Sequence, residues 1–150
     1  MLNFMIRNIL ILLLISGFIA NADFSRSDDI VTDNIRDLQW QDNIVGDKMD
    51  WEDAINYCKN LNLGGYYNWR LPNINELKSI IDKSKSKPAI VSGFNNTSFD
   101  YYWSSTTHNE YTNNAWMVYF TYGNVDFDVK ANSTSSLGHL NYVRCVRGGL

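Results

Sequence analysis

The chain has 150 residues and a formal net charge of −3, with 13 basic and 16 acidic residues mixed along its length, a distribution that excludes the basic patch of a nucleic-acid-binding surface. Aromatic residues make up 14% of it, whereas two cysteines and two histidines are all it offers for thiol, imidazole or soft-metal chemistry. The length suits one ordinary domain with one core.

Residues 1–22 read as a secretory signal. Arg7 in a short cationic start precedes the apolar run Ile9 to Ile19, and Ala20-Asn21-Ala22 supplies the small-x-small cleavage pattern. That run is shorter than the roughly 20 residues a membrane span needs, and no second one follows. The expectation is therefore an exported domain of residues 23–150, periplasmic, surface-bound or secreted, with no stable span once the signal is gone. Loss of Arg7 leaves a charge of 12 − 16 = −4.

Ile30-Val31, a polar turn at Asp33-Asn34 and Leu38-Gln39-Trp40 predict a short hairpin. Asp50 then suits the cap of a helix from Trp51 to Leu61, with Trp51, Ala54, Ile55, Cys58 and Leu61 on one face and Gly64-Gly65 as its stop. Pro72 disfavours helix just before it, and Asn73 with Glu76 forms a capping pattern for a second helix. Its apolar stripe is Ile74, Leu77, Ile80 and Ile81, and Lys83 to Lys87 with Pro88 is its exposed exit. Four strands are predicted beyond it: Tyr101 to Ser105, Ala115 to Tyr122, Asn124 to Lys130 and Asn141 to Arg147. A hairpin turn is expected at Gly123-Asn124, with Trp116, Val118 and Phe120 on one face of its first strand and Val125, Phe127 and Val129 on one face of its second. Asn132 to Ser136 is a polar loop. Two helices followed by a meander of short strands make an α+β domain, the helices packed on short antiparallel sheets with long loops.

An exported chain with two cysteines most simply joins them. A Cys58–Cys145 bridge closes 145 − 58 − 1 = 86 intervening residues. Both cysteines fall on strongly periodic segments, and only His108 and His139 could act as a base, so a catalytic thiol is disfavoured.

The order of several motifs carries a family likeness: Val31-Thr32-Asp33-Asn34, Leu38-Gln39-Trp40-Gln41-Asp42, Trp51 to Cys58, Gly64-Gly65-Tyr66, Trp69-Arg70-Leu71-Pro72, Glu76-Leu77, Tyr102-Trp103-Ser104-Ser105 and Tyr142 to Arg147. Over residues 30–148 the chain closely resembles the Lcl C-terminal domain family, which ends bacterial collagen-like adhesins and also occurs alone. The resemblance implies a C-type-lectin-like fold, shared with formylglycine-generating enzymes, in which a helix cysteine bridges to the last strand. The active cysteine pair of that enzyme chemistry is not available once Cys58 and Cys145 are bonded, so the activity is not carried over. The Glu-Pro-Asn, Gln-Pro-Asp and Trp-Asn-Asp triplets of calcium-dependent lectins are lacking, as is a collagen-like Gly-x-y stalk.

Asp33, Trp40, Trp69, Arg70, Pro72, Glu76 and Arg144 fall in these motifs and are read as structural, with Glu76 or Asp33 as the carboxylate partner that Arg70 needs. Candidate ligand contacts are Tyr101, Tyr102, Trp103, His108, Glu110, Tyr111, Asn113 and Asn114, because aromatic rings stack on sugar faces and amides bond hydroxyls. For Tyr111, Asn113 and Asn114 an ordinary solvated loop fits equally well. Asp126, Asp128 and Glu110 resemble oxygen ligands for calcium, yet like charges on one strand face are commonly just solvated, and the two histidines have no zinc spacing, so no metal and no cofactor are expected. The resulting expectation is a non-enzymatic, lectin-like binding domain recognising a glycan or an extracellular or envelope protein. The alternative is a structural or assembly module of the envelope, joined to copies of itself or to a partner, with no ligand of its own.

Overall fold

A computed structural model describes residues 23–130 and 140–149. The expected signal (1–22), the polar loop at 132–136 and His139 lie outside the described residues. Among the described residues, two helices and two small antiparallel sheets form an α+β fold.

The first sheet contains β1 (Phe24–Ser27), β2 (Ile30–Asp33), β3 (Leu38–Gln41) and β7 (Val146–Gly148), in the order β1-β2-β3-β7. The expected hairpin is β2–β3, with Asp33 opposite Leu38. Asp33 is buried and shapes the turn: its carboxylate accepts from the Ile35 and Arg36 backbone N–H groups and from the Arg36 guanidinium. β1 was not anticipated. It follows the segment read as a signal and has little apolar alternation, yet it pairs with β2 along its whole length.

α1 (Trp51–Asn60) is capped by Asp50, whose side chain accepts from Asp53 N at 2.9 Å, and it buries Ala54 and Cys58. α2 (Ile74–Ser79) carries both halves of the predicted capping box. It is shorter than its apolar stripe suggests, because the chain leaves the helix at Ile80 and Ile81 makes an isolated bridge to Ile90.

The second sheet is β4 (Tyr101–Thr107), β5 (Asn114–Tyr119) and β6 (Asn124–Val129), in that order. Strand alternation makes it a partition between two cores. Tyr102 and Val118 join Val31, Trp40, Leu77 and Val146 on one side. Trp103, Ala115 and Met117 join Ala54, Cys58, Trp69 and Cys145 on the other. The segment predicted as a strand from Asn141 to Arg147 is mostly not one: Asn141 and Tyr142 make single bridges to Met49 and Tyr102, and regular pairing starts only at Val146.

Cys58 and Cys145 are bonded, tying α1 to the chain just before β7. Trp40 and Trp69 are core residues, as read from sequence, and Pro72 is fully buried. Arg70 is half exposed and makes a two-pronged pair with Glu76, both N···O distances being 2.7 Å. Arg144 is buried beside Asp42 at 3.3 Å, and Asp42 also receives Arg26 and the backbone N–H groups of Asn95 and Asn96. That cluster seats the segment 93–97 on the first sheet.

Candidate functional site

The loop between β4 and β5 is closed by its own backbone. His108 N donates to Asn114 O at 2.9 Å, and Asn114 N donates to Tyr111 O at 2.8 Å. Inside it, His108 Nδ1 accepts from the Glu110 and Tyr111 N–H groups, both at 3.2 Å. A neutral imidazole in that arrangement carries its proton on Nε2. Lys130 pins the outside of the loop: its backbone N–H reaches Asn113 O, and its ammonium donates to Thr107 Oγ1 at 2.7 Å and Thr112 O at 3.0 Å while lying over the Trp51 ring.

This bracing holds His108 against three rings. Its centroid lies 4.5 Å from Trp116, 4.4 Å from Phe127 and 5.1 Å from Tyr111. Trp116 and Phe127 are directly opposite each other in the β5–β6 register, so they share a face of the sheet. His108 is buried beneath the cluster, whereas Tyr111 is 56% and Phe127 36% exposed. The result is an aromatic surface with an imidazole floor, edged by the exposed Glu110 and Asn113 and the half-buried Asn114. Chemically it offers ring faces for stacking and nearby amides for hydrogen bonding.

Five of the eight candidate contacts come together there: His108, Glu110, Tyr111, Asn113 and Asn114. The other three do not. Tyr102 and Trp103 are 2% and 0% exposed and line no surface, since the alternation of β4 sends one to each core. Tyr101 is half-buried on the opposite face of the sheet, stacked on Tyr119 at 4.4 Å, and burial followed by the nearby Asp126 charge pushes its hydroxyl pKa up. Sequence reasoning missed Trp116 and Phe127 as members of the surface. Their shared alternation was visible, but not that β6 is an edge strand and leaves them partly uncovered.

A separate cleft of about 290 Å³ opens beside the first sheet, lined by Asp28, Asp29, Thr32, Gln39 and Tyr66 among others, and none of the predicted ligand contacts lines it. Among the described residues no group of three or more His, Cys, Asp or Glu side chains is placed to hold a metal ion, and no helix is long and apolar enough to cross a membrane.

A family model described as the Lcl C-terminal domain matches residues 29–147. Comparison with curated proteins and with solved structures gave no match.

Proposed function

Since the chain belongs to the Lcl C-terminal domain family, we propose that it is an exported, non-enzymatic binding domain of lectin type that recognises a glycan or an extracellular protein in surface interactions. The observation that carries this reading is the partly exposed aromatic surface of Tyr111, Trp116 and Phe127 over His108. Partly exposed rings held by two paired strands and a self-bonded loop lose little conformational entropy on binding, so their buried area converts efficiently into affinity.

Export is supported by the signal-like start and by the disulfide, which suits an extracytoplasmic compartment. A role without catalysis is supported by the engagement of both cysteines in one bond and by the packing of His108 among rings, its Nδ1 already accepting two backbone N–H groups.

The oxidised protein on a glycan array and a panel of matrix proteins should give a signal that Tyr111→Ala and Phe127→Ala each weaken by about tenfold or more, in keeping with central ring contacts. Both variants should retain the wild-type circular dichroism. No binding above background on either panel, or binding that both variants leave unchanged, would remove the reading.

A further inference from the structure

Among the described residues, β6 is the outer edge of its sheet. The Lys130 N–H reaches back to Asn113 O at 2.8 Å. Antiparallel alternation then turns the backbone groups of Asp128, Asp126 and Asn124 toward β5, and those of Val129, Phe127 and Val125 toward the open edge. Two of the three outward N–H groups are already occupied by the chain's own carboxylates: Phe127 N donates to Asp126 Oδ1 at 2.9 Å, and Val129 N to Asp128 Oδ1 at 2.7 Å.

The edge also reads the same in both directions, Val125-Asp126-Phe127-Asp128-Val129. Two copies meeting antiparallel about Phe127 would set Phe127 against Phe127 and Val125 against Val129. These are the residues whose backbone groups face outward, so the hydrogen-bonding register is the correct one and two three-stranded sheets would join into one. On one face the partly exposed Val125 (41%) and Phe127 (36%) would cover their counterparts. On the other, Asp126 of each copy would stand directly opposite Asp128 of its partner, an arrangement of like charges that destabilises a strand pair.

We propose that β6 is a self-complementary edge for a second copy of this chain, and that Asp126 and Asp128 keep it unpaired by occupying its outward donors and by repelling their counterparts. An edge with this apolar stripe and no such guard would be a ready template for pairing. The occupant is a second copy because the palindrome, paired with itself, sets apolar against apolar and outward donor against outward acceptor along the whole strand.

The test compares the wild type with Asp126→Thr/Asp128→Thr by sedimentation velocity and by amide exchange at Phe127 and Val129. The double variant should gain a dimer, and the two amides should exchange roughly tenfold more slowly than in the wild type or better, as they pass from a solvated edge into a ladder. Asp126→Lys alone, which sets a lysine opposite each Asp128, should dimerise in the same way. Adding Val129→Pro to either variant removes an outward N–H that has no ladder bond to lose, and should restore the wild-type mass. The proposal is overturned if folded, disulfide-bonded forms of both variants sediment as the wild type does. It is equally overturned if a dimer forms while the two amides stay fast, or if the wild type protects them as fully as the dimeric variant does.

Discussion

Asp42 and Arg144 are both buried, and the Asp42 carboxylate offsets Arg144 together with the part-buried Arg26. Burial pushes the Arg144 guanidinium below its ordinary pKa, against the pull of Tyr102 and Asp42, and the rings of Phe94 and Tyr102 lie 4.5 and 5.7 Å from it. Asp42→Asn removes the one carboxylate in this cluster and leaves a buried cation facing an amide, so it should cost about 3–5 kcal/mol in urea unfolding. Replacing Arg144 as well with an apolar residue of similar size should recover part of that loss, because the fully buried cation is then gone, whereas Arg26 and the Asn95 and Asn96 N–H groups still lack their carboxylate acceptor. Glu76 gives a smaller effect that depends on pH. Burial pushes its carboxyl up, but the hydrogen bonds from Arg70 and from the Asn73 backbone, with the Arg70 charge, outweigh that and hold it below the ordinary value of 4.5. The unfolded chain therefore takes up this proton first as pH falls, so the stabilisation is complete above the ordinary value and is lost as pH drops through the folded one. The pair is partly exposed, which limits its size. Wild type should exceed Glu76→Gln by about 1 kcal/mol at pH 7, and the gap should shrink as pH falls below the ordinary value of 4.5 when melting is followed across that range. A gap that stays constant with pH would mean that the charge contributes nothing.

Elements were legible where local chemistry alone decides them. Asp50 with the Ala54–Cys58 stripe announced α1, and Asn73 with Glu76 announced the start of α2, because caps act within one turn. The end of α2 was not legible, since what draws Ile81 out of the helix is a bridge to Ile90, fixed by tertiary packing. Asn141 to Arg147 misled for a related reason: its apolar residues serve two cores and two bridging partners in turn, so alternation reports burial without a ladder. β1 lacked any apolar pattern strong enough to name it, and it is a strand because β2 offers an edge. The candidate surface was half legible. The polar loop around Tyr111 announced itself by composition, but Trp116 and Phe127 look like core in sequence, and only the position of β6 at the edge leaves them partly in solvent. The motif aromatics Tyr102 and Trp103 erred in the opposite direction, because β4 runs between the two cores and both of its faces are covered there.

At the scale of the whole molecule, the segment between the two cysteines contains α2 and the entire second sheet, while β1, β2 and β3 precede it and β7 follows. The first sheet thus takes strands from both ends of the chain, and the Cys58–Cys145 bond keeps those ends together when the sheets come apart. Closing 86 residues (145 − 58 − 1) restricts the unfolded chain by about 4–5 kcal/mol in the loop-entropy account. That is a large share of the roughly 5–15 kcal/mol typical of a domain. Both sulfurs belong to residues wholly buried in the second core, so reduction requires unfolding first, and the comparison has to be made between protein reduced in denaturant and protein left oxidised. If the bond acts on the unfolded state, the reduced form should unfold at clearly lower urea and with a steeper dependence on urea, because an unclasped chain exposes more surface when it opens. A lower midpoint with an unchanged slope would place the effect in the folded packing around Cys58 instead. An unchanged midpoint would show that the two cores hold the ends together without the bond.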